Sequence, residues 1–330
     1  MNNFASHLLS HYKKNARDLP WRRYPTPYNV WLSEIMLQQT TVTTVIPYFE
    51  KFTNTYKTVQ ALAKASEDDI MHLWQGLGYY SRARNLHKCA KIIAENGGTF
   101  PSDEAALLKL PGVGPYTAAA ISSIAFNKKA TVVDGNVERV MSRLQRTETA
   151  LPKAKAELGD KARTLTPNKE NNLYSNAIME LGALICTPRK PKCATCPVTK
   201  FCDSYGKDDI ESYPRKEPKK AKKVDHGTVY IIRDRAGLYY LQKRPGKGLL
   251  ASLWEFPSTS WAGESTHLPN FMETIKEDAE HMGQIRHIFT HIDLTFDVML
   301  TEVDKLENGF NIDNLPPLPT LMKKALKLAC

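Results

Sequence analysis

Through residues 1–205 apolar side chains recur every three or four positions, the spacing that lines one face of a helix. The pattern predicts helices over Asn3–Asn15, Tyr28–Leu37, Val42–Phe52, Glu67–Trp74, Ser81–Asn96, Thr117–Ala125, Gly135–Arg146 and Leu173–Ile185. Each is short, and turns rich in Gly, Pro or Thr separate most of them. Between 206 and 226 the pattern lapses. Arg215-Lys216-Glu217-Pro218-Lys219-Lys220-Ala221-Lys222-Lys223 is charged and interrupted by proline, which predicts an exposed basic linker with phosphate contact as a secondary role. Beyond it Gly227–Arg233, Leu238–Lys243 and Phe289–Thr301 carry β-branched and aromatic residues at strand spacing, so 227–330 reads as a second, α+β domain. No internal repeat or low-complexity block interrupts either part.

A chain of 330 residues accommodates two domains with cores of their own. Its start lacks the basic stretch and apolar run of a secretory signal, and no long uncharged apolar segment occurs. A cytoplasmic, nucleoid-associated protein is therefore expected. The net charge of +10 and pI near 9.2 suit a polyanionic partner without requiring one.

Chemistry concentrates in a few places. Leu110-Pro111-Gly112-Val113-Gly114 is a tight turn whose glycines allow sharp backbone bends and expose amide N–H groups. Pro115 suits the first turn of a following helix, and amides gathered at a helix start bind anions, phosphate above all. On the pattern alone the same turn is equally an ordinary corner between helices.

Glu34 is the one charged residue between Arg23 and Glu50, in the run Val30-Trp31-Leu32-Ser33-Glu34-Ile35-Met36-Leu37. Apolar neighbours disfavour the ionised form and raise a carboxyl pKa, as a general acid near neutral pH requires; an outward-facing surface glutamate is the plainer reading. The polar cluster Gln38-Gln39-Thr40-Thr41 ends that helix, placed to line a cleft beside it.

Asp134 follows the extended Thr131-Val132-Val133 and opens the next helix as its N-cap. That role does not exclude chemistry. A protonated glutamate paired with an ionised aspartate is the division of labour that cleaves glycosidic bonds. Asn136 stands two residues on, able to position a water or the aspartate.

Cys186, Cys193, Cys196 and Cys202 lie in one short loop with six, two and five residues between them. Such clustering points to a metal centre in a reducing compartment rather than to disulfides. A single C-x2-C knuckle and unequal spacing suit an iron–sulfur cluster better than zinc. Arg189, Lys190, Lys192 and Lys200 make the loop basic, which favours a structural, DNA-facing role.

Together WLSEIMLQQT, GLGYYSRARNL, LPGVGPYT, VVDGNV, MELGALICTPRKPKC with CATCP and FC, GLLASLWEFP and FTH resemble the helix-hairpin-helix DNA glycosylase superfamily, and within it the adenine-removing branch. The resemblance runs over nearly the whole chain. It implies a multidomain protein: an all-α helix-hairpin-helix glycosylase domain with a [4Fe-4S] loop over 1–205, the basic linker 206–226, and an α+β Nudix-like lesion-recognition domain over 227–330. It implies a monofunctional enzyme acting as a monomer on double-stranded DNA, away from membranes, that excises adenine mispaired with 8-oxoguanine or guanine.

Carried over residue by residue, Glu34 protonates adenine N7 and Asp134 stabilises the oxocarbenium ion. Tyr116 and Asn136 hydrogen-bond within the site, and Cys186, Cys193, Cys196 and Cys202 hold the cluster. Trp21, Arg22, Gln38, Gln39, Thr40, Leu77, Gly78 and Tyr79 flank the flipped base or wedge the duplex, with Gly112, Val113 and Gly114 on the DNA backbone. Phe289, Thr290 and His291 contact the lesion.

The nearest rival, endonuclease III, carries a lysine nucleophile where Tyr116 stands. A phenol forms no Schiff base, so strand cleavage is not expected. A non-catalytic DNA-binding relative is the alternative from another class, and the presence of both Glu34 and Asp134 argues against it. The sequence departs from the branch in two places: Thr290 replaces the serine of F-S-H, and Asn176 stands where relatives place Glu or Gln near adenine. No R-E-x-x-E-E box follows Pro257, so nucleotide hydrolysis is not expected. Cys89 and Cys330 fall outside the cluster.

Overall fold

The computed structural model describes residues 3–218, 221–259, 261, 268–269 and 277–330. The chain divides into two compact units: Met1–Ala65 with Asn85–Pro218, and Ser66–Arg84 with Lys219–Cys330. Helices follow in chain order as α1 (Asn3–Asn15), α2 (Pro20–Arg23), α3 (Pro27–Leu37), α4 (Val42–Thr55), α5 (Val59–Lys64), α6 (Glu67–Trp74), α7 (Ser81–Glu95), α8 (Glu104–Leu107), α9 (Pro115–Phe126), α10 (Gly135–Leu144), α11 (Lys155–Leu165) and α12 (Asn171–Glu180). None of the described helices is long and apolar enough to cross a membrane.

Capping explains several of the boundaries. The hydroxyls of Thr26, Thr41 and Thr58 accept from the free N–H groups that open α3, α4 and α5, which is why threonine-rich turns separate these helices. α3 is buried on every side, from Val30 through Met36, so its one carboxylate is enclosed with it. Around it Trp31, Leu32, Ile35, Phe52 and Ile121 form core at 1% exposure or less.

The second unit holds strands β1 (Lys223–Asp234), β2 (Leu238–Tyr239), β3 (Gln242–Lys243), β4 (Trp254–Glu255), β5 (Glu280–Ile288), β6 (Ile292–Val303) and β7 (Phe310–Asn311), then α13 (Thr320–Ala329). A five-stranded sheet runs β5-β6-β1-β2-β7, and β3 pairs with β4 separately. β1 and β6 are parallel from Lys223↔Ile292 to Asp234↔Val303, and the other neighbours are antiparallel. Leu321, Met322 and Ala325 of α13 pack on Val229, Ile231, Leu294, Phe296 and Val298. In the same unit Arg84 Nη1 donates to Ala251 O at 2.6 Å and Lys243 Nζ lies 3.6 Å from Asp68.

Several expectations need correction. Residues 206–218 are largely exposed, as expected of a linker, but Tyr213 gives the charged segment one point of burial. Its ring is 1% exposed between the guanidinium groups of Arg146 and Arg215, 4.9 and 4.5 Å away, and its hydroxyl donates to Glu148. Leu151 N donates to Arg215 O and Glu217 N to Leu151 O, so the backbone is tied down as well. β1 then starts at Lys223 rather than Gly227; Lys219 and Lys220 lie outside the described residues. Leu238–Lys243 is two short strands in different sheets, and Phe289 closes the β5–β6 turn, its N–H donating to Ile292 O. The segment after Pro257 lies largely outside the described residues. α11, β5 and α13 were not foreseen.

Candidate active site

Six helices and the loops between them converge on a cleft of about 650 Å³ in the helical unit. Its wall carries Trp21 and Arg22 from α2, Glu34 from α3, Gln38, Gln39 and Thr40 beyond it, Tyr116 from α9, and Asp134 and Asn136 at the start of α10. These residues, spread over more than a hundred positions, are the ones expected to act together. Trp21 is buried edge-on against Phe49, ring centroids 5.4 Å apart, so it shapes the wall from within.

Glu34 is 5% exposed. Burial pushes its carboxyl up to about 7; Tyr116 counters by donating its hydroxyl to Oε2 at 2.7 Å, the charge of Asp134 pushes it further up, and Arg22 draws it down. The result is an acid that holds its proton in near-neutral solution. The Tyr116 phenol, buried and beside two carboxylates, is held well above its ordinary range and stays a donor. Met179, which the sequence did not single out, lies 3.1 Å from the same hydroxyl.

Asp134 caps α10 as expected. Oδ1 accepts from Val137 N and Oδ2 from Asn136 Nδ2, both at 2.8 Å. Asn136 is held in turn: Arg139 Nη2 donates to its Oδ1 at 2.9 Å and to Gly182 O at 2.6 Å, while Arg139 Nε donates to Cys186 O at 2.8 Å. A continuous chain of hydrogen bonds thus leads from Asp134 to the cysteine loop. Arg139 stands three positions beyond Asn136 on one helix face, the only sign of it in the sequence. Gly182 lies in a π-helical turn, Leu181–Ile185, that ends α12 early. A Cβ there would come within 2.7 Å of the Asn136 Cβ, so only glycine lets the two elements approach.

The 110–114 turn joins α8 to α9. Gly112 sits at φ +78°, and a Cβ there would meet the Asn85 Cβ at 2.9 Å. Gly114 is the extended N-cap of α9 with no side-chain cap, Pro115 follows, and Val113 is buried. Gln38 Nε2 reaches Gly112 O and Thr117 Oγ1 at 3.4 and 3.3 Å, tying the cleft to the hairpin. Asn176 lines the cleft too, but both ends of its amide are engaged, with Arg22 Nε and with Asn172 O.

In the second unit Leu77 is buried, Gly78 and Tyr79 are left-handed at φ +68° and +48°, and Tyr79 is half exposed. Trp74 Nε1 and Arg82 Nη2 both donate to Gly78 O at 3.1 Å, which fixes this turn. At the β5–β6 turn Phe289 stacks on Trp261, while Thr290 and His291 are exposed.

The cysteine loop fits an iron–sulfur centre. Burial, then the charge of the neighbouring thiols, raises Cys193, Cys196 and Cys202, Cys196 to about 11. Sulfurs that repel as thiolates need cations to gather them. Cys186, Cys193, Cys196 and Cys202 would hold such a cluster as thiolates. Arg143, 1% exposed, braces the loop: it donates to Thr187 O, Pro188 O, Ile210 O and Tyr213 O between 2.7 and 3.2 Å, and lies 3.5 Å from Cys186 Sγ. Cys89 is buried, and Cys330 Sγ lies 3.1 Å from Tyr239 Oη.

The helical fold, the hairpin and the cleft define a helix-hairpin-helix base excision repair protein: that superfamily's model matches residues 32–164, the iron–sulfur binding domain of endonuclease III matches 186–202, and a NUDIX domain matches 228–328. The adenine DNA glycosylase of Mus musculus is 34% identical over 92% of this chain and 71% of its own length, and that of Buchnera aphidicola subsp. Schizaphis graminum 38% identical over 77% and 74%. A thermostable thymine-DNA glycosylase structure superposes with a TM-score of 0.57 at 36% identity, over 61% of this chain and 94% of that one. Endonuclease III in a non-covalent DNA complex gives 0.52 at 24% identity, over 61% and 92%, which speaks for the fold alone. The chain belongs to the adenine DNA glycosylase family. It is a DNA-binding N-glycosyl hydrolase of base excision repair and an iron–sulfur protein with a [4Fe-4S] cluster.

Proposed function

We infer that this chain excises adenine standing opposite 8-oxoguanine or guanine in duplex DNA and leaves the strand intact. The reading is carried by one observation: a buried glutamate with its pKa at about 7 faces the same cleft as an aspartate held by N–H donors. The target nucleotide swings out of the stack into the cleft. Glu34 delivers its proton to adenine N7, and the glycosidic bond breaks with its electron pair leaving on the base. Asp134 stabilises the positive charge that develops on the sugar, and water adds to C1′, giving a proton back to the Glu34 carboxylate, to leave free adenine and an abasic site.

Tyr116 supports base removal without strand cutting. Its phenol donates to Glu34 and offers no amine for a Schiff base, so β-elimination has no starting point. Adenine as the target is favoured over the thymine of the superposed enzyme because that likeness spans 61% of the chain, whereas the mouse adenine enzyme aligns over 92%. The exposed Thr290 and His291 read the opposing 8-oxoguanine, and Cys186, Cys193, Cys196 and Cys202 hold the cluster, which serves structure. The protein acts as a monomer.

The test is a duplex with one A:8-oxoguanine pair. Wild type releases adenine and the strand breaks only after alkali; Glu34→Gln reduces release by about 100- to 10,000-fold, the range of a lost acid. Full excision by Glu34→Gln, or breakage without alkali, overturns the reading.

A further inference from the structure

Behind the cleft wall lies an ion cluster to which the chemistry proposed above assigns no step. Glu180, the last residue of α12, is 6% exposed and accepts from two guanidinium groups: Arg22 Nη1 at 3.0 Å and Arg17 Nε, with the Arg17 backbone N–H 3.4 Å from its other oxygen. Arg22 is held from two further sides. Its Nε donates to Asn176 Oδ1 at 3.1 Å, and its guanidinium lies over the Tyr12 ring, 5.7 Å from the centroid. Arg17, Arg22 and Asn176 share the cleft lining with Glu34.

The placement of Arg22 matters because a guanidinium does not give up its charge. In contact with Glu34 it would form an ion pair, and an ion-paired glutamate has already lost the proton that the acid must deliver. We propose that Glu180 is a positioning residue that holds Arg22 back from Glu34, so that the acid keeps its proton at neutral pH. This rests on the reading of Glu34 as the proton donor.

The groups acting on Glu34 are Tyr116 from α9, Asp134 at the head of α10 and Arg22 from α2. Only Arg22 favours the carboxylate through its charge. The groups on Arg22 are Glu180 from α12, Tyr12 from α1, Asn176 and the Arg17 carbonyl. Once Glu180 is neutral, the carboxylates lining the cleft that remain to draw Arg22 are Glu34 and Asp134.

Single-turnover excision by the full chain, with enzyme in saturating excess and pH varied, decides the matter. Wild type loses activity as pH rises through about 7. In Glu180→Gln this falling limb moves to lower pH by about one unit, so the rate drops about tenfold above the limb and is unchanged below it. Adding Arg22→Met to Glu180→Gln returns the limb to the wild-type position or higher. Arg22→Met alone, with Arg17 still pairing Glu180, moves it upward.

A uniform loss at every pH in Glu180→Gln overturns the proposal, as does a limb still shifted in the double variant. Should Glu180→Gln fail to fold, Arg22→Met decides: an unmoved limb means that the charge does not reach Glu34. Excision by Glu34→Gln, or a wild type without a falling limb, defeats the assignment of the acid and the positioning role with it. A limb present in wild type but unmoved in Glu180→Gln defeats the positioning role alone.

Discussion

Glu34 is stable in its place only while it carries its proton. Its pKa is raised from 4.5 to about 7 by burial, so the folded chain binds that proton more tightly than the unfolded chain does. Below pH 4.5 both states are protonated and the site costs nothing. As pH climbs through the window from 4.5 to 7 the unfolded chain ionises first, and stability falls. Glu34→Gln should therefore match wild type in denaturant midpoint at pH 4 and exceed it at pH 8, by at most about 3 kcal/mol at roughly 1.4 kcal/mol per unit. Equal midpoints at both pH values would mean that the carboxyl is solvated in the folded chain. That Glu34 was buried could be read from its apolar run. Its partners could not: the phenol that grips it stands 82 positions away, Met179 is further still, and no local pattern encodes such meetings.

Elements meet through their smallest residues here. Gly182 lets the end of α12 touch Asn136 on α10, and Asn136 in turn orients Asp134. Gly182→Ala should push Asn136 aside, slow excision by about 100-fold and lower stability by about 1–3 kcal/mol. Wild-type single-turnover rates in this variant would show that the contact positions nothing. The sequence disclosed the hairpin at Gly112 because a left-handed turn needs a residue type that can be seen. It left Gly182 as one more glycine near a helix end, since what makes it necessary is a neighbour from another helix. Elements with a blurred pattern fared worst. β5 has mixed polarity because one side of the sheet is open, and α13 follows a proline-rich stretch that masked its amphipathic face.

On the scale of the molecule the telling feature is the stretch 206–218, largely exposed as expected yet pinned at one residue. Composition could not show this, because the pin is a single tyrosine between two arginines backed by Arg143 from within. Arg143→Met removes a donor from four carbonyls at once, three of them half-buried and that of Tyr213 buried, and a buried carbonyl left without its donor costs on the order of 1–3 kcal/mol. Reduced iron content per chain and a lower unfolding midpoint are expected together. Full iron with an unchanged midpoint would remove Arg143 from this role.

That one guanidinium grips both the loop beginning at Cys186 and the stretch ending at Tyr213 has a consequence for the life of the chain in a cell. Because Arg143 joins its two ends, the segment 186–213 is expected to close fully only with the cluster in place and to be open to proteases without it. Protein produced under iron depletion should be nicked between 186 and 213 by limited proteolysis, where the loaded protein resists.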